Sequence, residues 1–186
     1  MTNVKTCIDC GIEKIFIINH VVSVDELIKC ANQVKLKYPN LWIGVNMLGY
    51  TTEMSLMLDT GLDGLWCDAQ VNEGFKRNFK GMFFGGVAFK YQPQPKDLNL
   101  ACSWAKVTTD VATTSGVATG KAADINKILT IREYLGNHPM AIASGVSIDN
   151  IDSYKGIVDY LLVASSITTF GEIIIKEKLL KLKERL

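Results

Sequence analysis

The sequence predicts an α/β fold, a TIM (β/α)8-type barrel with seven of its eight strands present in this chain. Seven short apolar runs begin near residues 13, 41, 63, 81, 109, 140 and 159, with helical segments between them. Runs so uniformly apolar and β-branched are typical of a parallel sheet covered on both faces. Polar residues gather where the runs end. A barrel collects its functional groups at that rim, whereas an open doubly wound sheet uses mainly one crevice.

The helical segments between the runs carry polar caps and apolar stripes. They are predicted over residues 3–10, 23–38, 52–60, 95–106, 124–135 and 172–186. The last of these carries several lysines but also Glu177 and Glu184, so we expect it to pack on the barrel rather than on a membrane surface.

The composition predicts one globular domain, a single incomplete barrel over residues 1–186. A net charge of +1 with interspersed signs gives no electrostatic basis for nucleic-acid binding. The sequence shows no transmembrane-length apolar run and no signal peptide, so a cytoplasmic location is expected. Five cysteines do not suit a disulfide framework, and Cys7 and Cys10 are interpreted as buried helix residues. We expect no metal and no cofactor.

The strand count is one short of a closed barrel, because the chain begins inside what would be the first helix. Two interpretations are open. Either the sequence is truncated at its N-terminus, which we favour, or an open barrel closes its gap with a partner or another segment. An unclosed barrel exposes two strand edges, through which a homo-oligomer could form.

Three consecutive strand ends are rich in hydroxyl groups and glycine, which suggests a phosphate-binding site. Loops of this kind present bare backbone N–H groups to an anion, and many barrels hold a substrate phosphate after their last two strands. Glycine and serine are also common in ordinary strand–helix loops. The predicted phosphate ligands are Ser115, Gly116, Lys121, Ser144, Gly145, Ser165 and Ser166.

Four other residues at the predicted rim are candidates for catalysis. Histidine side chains often serve as acids or bases in catalysis, so His20 could act as either, although a structural role fits it equally. Asp68 could serve as a general base, orient a ribose hydroxyl or, with less support because no second carboxylate lies clearly at the rim, bind a metal. Asn46 could donate to a substrate oxygen. Lys90 could neutralise a phosphate or, if desolvated, act as a nucleophilic amine; an exposed lysine is the simpler interpretation.

Four segments of the chain resemble the BtpA family, named for a photosystem I biogenesis protein. They are residues 114–124 (TSGVATGKAAD), 143–151 (ASGVSIDNI), 157–166 (IVDYLLVASS) and 44–48 (GVNML). The resemblance implies a ribulose-phosphate-binding barrel whose ligand is a phosphorylated small molecule, such as a ribose phosphate. The sequence departs from the family in lacking the first strand and in having Ala164-Ser165 where a glycine-containing loop is usual.

Two functions follow as hypotheses. The first is an enzyme acting on a small phosphorylated metabolite, an isomerase, a lyase or a phosphoribosyl-transferring enzyme. The second is a non-catalytic assembly factor that keeps the barrel fold.

Overall fold

Seven parallel strands alternate with helices in the computed structural model, which describes residues 1–73, 76–169 and 172–186. The strands are β1 Lys14–Ile18, β2 Trp42–Asn46, β3 Gly64–Gln70, β4 Met82–Gly86, β5 Val111–Ser115, β6 Met140–Ala143 and β7 Tyr160–Leu162. The α-helices are α1 Thr2–Asp9, α2 Val24–Lys37, α3 Thr52–Leu56, α4 Leu98–Thr108, α5 Ile125–Leu135 and α6 Lys176–Lys183, with a 3₁₀ helix at Ile151–Tyr154.

The strands pair in chain order from β1 to β7, and the sheet curls until its two edges face each other. The ring of Phe84 on the central strand β4 lies 5.1 Å from that of Phe16 on β1 and 5.5 Å from that of Tyr160 on β7. The ammonium of Lys14 on β1 lies 5.6 Å from the Tyr160 ring. The predicted fold class, a TIM (β/α)8-type barrel with seven strands in this chain, is therefore confirmed.

Alternate residues of each strand point into the barrel or out toward the helices, because side chains alternate across a sheet. The outward side chains join the helices in the larger apolar core, to which β2 contributes Ile43 and Val45. The inward side chains, among them Trp66 and Phe84, form a second core that is mostly aromatic, and Phe89, which follows β4, packs into it.

Two strand glycines make room for the aromatic rings inside the barrel. A Cβ at Gly44 would collide with the Phe16 ring, and a Cβ at Gly64 would collide with the Trp42 ring. Barrel interiors are more often filled by branched aliphatic side chains. Here large rings next to glycines fill the same space.

Some helices differ in length from the sequence prediction. The segment expected to be helical over 52–60 is helical only to Leu56. Helix α4 begins at Leu98 rather than at Pro95, because the Asp97 side chain accepts the Leu100 N–H at 2.9 Å and caps the helix there. The last helix begins at Lys176, since Thr168 and Ile174 form an antiparallel bridge before it.

The outer helices meet where the sheet does not close. Lys183 of α6 donates to the carbonyls of Cys10 and Gly11 at the end of α1, at 2.9 and 3.0 Å. Cys7 and Cys10 are buried, as predicted. Within the described ranges, no helix has the length and apolar character needed to cross a bilayer.

Candidate functional site

The carboxyl ends of β2 and β3 bring an amide and a carboxylate together. Asn46 is 1% exposed, and its Nδ2 donates to Oδ1 of Asp68 and to the Trp66 carbonyl, both at 3.2 Å. These two bonds use both amide hydrogens, so the Asn46 side chain is fixed in orientation. The Asp68 carboxylate is therefore held at the rim by a buried neighbour.

Lys90 follows β4 and connects it to the loops after β5 and β6. Its backbone N–H donates to the Ser115 hydroxyl at 2.8 Å. Its ammonium donates to Oγ of Ser144 at 2.5 Å and to Oγ1 of Thr119 at 2.9 Å. The side chain thus reaches from the end of β4 to the loop after β6, and a predicted catalytic residue contacts a predicted phosphate ligand.

The surroundings of the Asp68 carboxyl and the Lys90 amine favour the neutral form of each group. Burial raises the pKa of the Asp68 carboxyl, although the Asn46 hydrogen bond and the charge of Lys90 act in the opposite direction. Burial lowers the pKa of the Lys90 ammonium, while the negative charge of Asp68 acts to raise it. Both pKa values move toward neutrality, which suits groups that exchange protons.

A cavity of about 330 Å³ opens between these groups and the loop after β2. It is lined by residues 47–51, 68–69 and 90–92, so Asp68 and Lys90 share it. This volume lies within the range of small-molecule sites. Another cavity, of about 430 Å³, lies at the opposite, amino end of the strands and is lined by residues 42, 59, 61–63 and 79–81. In barrel enzymes the active site lies at the carboxyl end of the strands, so the cavity lined by Asp68 and Lys90 is the candidate site.

Ser144 and Gly145 continue the chain beyond β6 in the left-handed region, with φ of 67° and 74°. Asn150 fixes this turn, donating to the Gly145 carbonyl at 2.7 Å and accepting the Ser147 N–H at 2.8 Å. The described residues offer no acceptor to the Gly145 N–H, which leaves this donor free for an anion.

The glycines at 116 and 145 also have a packing role. A Cβ on either residue would collide with the Lys121 carbonyl, which lies between them. The loop after β5 therefore closes against the loop after β6 only if both residues are glycine. The Lys121 side chain itself is exposed.

The remaining predicted residues lie apart from Asp68 and Lys90. His20 is exposed and pairs through Nδ1 with a Glu172 carboxylate oxygen at 2.6 Å. Ser165 is exposed in the turn after β7. The Ser166 hydroxyl is buried and has no hydrogen-bond partner among the described residues.

Three residues of the site were not predicted from the sequence. Thr119 binds the Lys90 ammonium, and its N–H donates to the Tyr91 hydroxyl at 3.3 Å. Lys127 of α5 donates to the carbonyls of Ala88 and Ser115 at 2.6 and 2.9 Å, and burial lowers its pKa. Lys127 lies four residues before the buried Ile131, and this spacing is the one signal that it faces the barrel.

The fold is similar to those of several solved structures, at low sequence identity. Phosphoribosyl anthranilate isomerase from Thermus thermophilus is 13% identical with a TM-score of 0.68, over 98% of this chain and 91% of that chain. Thiamine phosphate pyrophosphorylase from Pyrococcus furiosus is 14% identical with a TM-score of 0.65, over 98% and 86%. Orotidine 5'-phosphate decarboxylase from Pyrococcus horikoshii is 12% identical with a TM-score of 0.65, over 99% and 93%.

No family model matches the sequence, and no curated protein matches it. At these identities the structural similarities establish the fold alone. This chain therefore has the barrel fold of these solved structures.

Proposed function

We propose that this chain is an enzyme that acts on a small phosphorylated metabolite of the ribose-phosphate kind. The observation that carries the proposal is the position of Lys90, which lines the same cavity as Asp68 and reaches the loop after β6. The pair formed by Asp68 and Lys90 therefore lies within the length of one lysine side chain of the loop after β6. The solved structures of similar fold include enzymes named for phosphorylated compounds, which supports the same substrate class.

In this proposal the phosphate binds at the loops after β5, β6 and β7. The Gly145 N–H would donate to its oxygens, because among the described residues this donor lies free at the mouth of the barrel. The predicted phosphate ligands keep this role: Ser115, Gly116, Lys121, Ser144, Gly145, Ser165 and Ser166.

Asp68 would transfer protons to and from the substrate, and Asn46 would orient it. His20 keeps its predicted role as an acid or base at the rim, where its Nδ1 contacts a Glu172 carboxylate oxygen. Assignment to the BtpA family, which depends on the sequence motifs, and a cytoplasmic location belong to the same proposal.

Thermal unfolding with ribose 5-phosphate and with inorganic phosphate tests this function. A ligand at 100 times its Kd stabilises the folded state by about 2.7 kcal/mol, which raises the Tm of a chain this size by about 5–10 °C. Gly145→Asp should abolish the shift, because it places a carboxylate at the anion site and its Cβ would collide with the Lys121 carbonyl.

Gly156→Asp is the matched control, since Gly156 has a similar φ of 73° but an open surrounding and lies before β7, at the other end of the barrel. It should leave the shift intact. If neither compound raises the Tm of the wild type, the proposed phosphate site is wrong. A reproducible protein partner with no ligand response would favour an assembly factor.

A further inference from the structure

We propose that Lys90 forms a covalent imine with a ketone or aldehyde carbon of the substrate, which makes the substrate class a phosphorylated carbonyl compound. This inference rests on the proposed function and specifies its chemistry. Three features of the described residues support it: the partners of the Lys90 amine, the contrast with Lys127, and the acid that shares the cavity.

The Lys90 amine is half-buried and its hydrogen-bond partners are neutral. They are the hydroxyls of Ser144 and Thr119. The lysine–carboxylate and arginine–carboxylate ion pairs among the described residues are all made by side chains other than Lys90. A hydroxyl can accept a hydrogen bond from an ammonium or donate one to a neutral amine. Lys90 can therefore lose its proton and keep both partners.

Lys127 shows the opposite arrangement nearby. Its ammonium donates to the backbone carbonyls of Ala88 and Ser115. These carbonyls hold the amine against the protein backbone, and Lys127 is not among the residues that line the cavity shared by Lys90 and Asp68. Lys127 therefore has a structural role, and the amine placed at the cavity is that of Lys90.

Asp68 supplies the proton transfers that imine formation requires. It lines the cavity with Lys90 and is held by the Asn46 amide. The carboxylate first takes a proton from the ammonium, which leaves a neutral amine and a carboxylic acid. The amine lone pair then forms a C–N bond to the carbonyl carbon as the C=O π bond breaks.

The resulting carbinolamine loses its oxygen as water. The oxygen receives one proton from nitrogen and one from the Asp68 carboxylic acid, and the nitrogen lone pair forms the C=N bond as the C–O bond breaks. The products are a protonated imine, water and the Asp68 carboxylate. No oxidant or reductant is consumed, and no metal is needed to balance the step.

Reductive trapping tests this proposal directly. The wild-type protein is incubated with dihydroxyacetone phosphate and cyanoborohydride, and modified lysines are mapped by peptide mass spectrometry. A ketone probe is used because aldehydes label exposed lysines without assistance. The expected adduct adds one probe molecule less one oxygen atom, and we expect it on Lys90 with Lys127 unmodified.

Two variants sharpen the test. Lys90→Arg keeps the positive charge and should give no adduct at this position. Asp68→Asn should slow labelling of Lys90 by about 100-fold, in the range of general acid–base catalysis. The wild-type map is informative even if a variant fails to fold.

The outcomes separate this inference from the proposed function. Stabilisation by ribose 5-phosphate without a Lys90 adduct would overturn the imine and leave the phosphate site standing. Labelling spread evenly over exposed lysines, and unchanged in Lys90→Arg, would also overturn it. A Lys90 adduct without stabilisation by ribose 5-phosphate would support the imine and count against the ribose-phosphate ligand.

Discussion

At the amino end of the barrel interior, the rings of Phe16, Trp42 and Phe84 pack edge to face, with centroids 5.1–6.2 Å apart. At the carboxyl end, strands β2 and β3 of the same sheet present Asn46 and Asp68, joined by a hydrogen bond. The two ends lie on the same inward face of the strands, only a few residues apart. Their chemistry nevertheless differs completely.

The difference shows how one sheet can support both folding and function. Aromatic rings need no hydrogen-bond partner for their faces, so they can fill a dry interior. Buried amides and carboxylates need partners, and the loops at the strand ends supply them. The amino end should therefore determine stability, while the carboxyl end should determine ligand binding and pH dependence.

Phe84→Ala should give the largest loss of stability. Its ring contacts those of both edge strands, and removing a buried phenylalanine costs about 3–5 kcal/mol of unfolding free energy. Urea denaturation measures this change. Val107→Ala, at a side chain that is 78% exposed on α4, should stay within about 0.5 kcal/mol. A Phe84→Ala loss as small as that of the control would mean that the rings do not hold the edges together.

Gly145→Ala should have a smaller effect, at the rim. Alanine at φ 74° is strained, and its Cβ would also collide with the Lys121 carbonyl, so we expect a loss of about 2–3 kcal/mol. Gly156→Ala carries the strain without the collision and should lose about 1 kcal/mol. Equal losses in urea denaturation would contradict the close packing of the loops after β5 and β6.

The smallest expected effect is a pH dependence set by Asp68. Burial raises the pKa of this carboxyl in the folded chain, so the folded state binds the proton more tightly than the unfolded state. Stability should therefore fall as pH rises from the ordinary carboxyl pKa through the raised one.

Asp68→Asn removes this titration. The difference in unfolding free energy, wild type minus variant, should decrease as the pH rises through that interval. Urea denaturation at a series of acidic pH values measures it. A difference that stays constant with pH, or that increases as the pH rises, would show that burial does not raise the pKa of the Asp68 carboxyl.

The strands and the candidate residues at their carboxyl ends could be predicted from the sequence, because apolar runs and the polar residues that end them are local signals. The hydrogen-bond partners of these polar residues could not be predicted. Lys90 reaches Ser144, 54 positions away along the chain, and nothing in either local pattern indicates that contact. Thr119 and Lys127 lie in segments that resemble an ordinary loop and an ordinary helix, so only the folded chain shows their role.

The glycines give a similar lesson. Gly116 and Gly145 suggest an anion-binding loop from sequence, and the structure adds a packing requirement for both through the Lys121 carbonyl. The sequence predicts His20 at the rim together with Asp68, but in the structure the side chain that His20 contacts is Glu172.

The most direct test of the account is the location of bound ribose 5-phosphate, measured by amide chemical-shift changes in the isotope-labelled wild-type protein. The account predicts that the largest changes fall at residues 144–146, beyond β6, and at residues 47–50 and 68–69, which line the smaller cavity. Changes concentrated at residues 59–63 and 79–81 would place the ligand at the amino end of the barrel. That result would contradict a site built on Asp68 and Lys90.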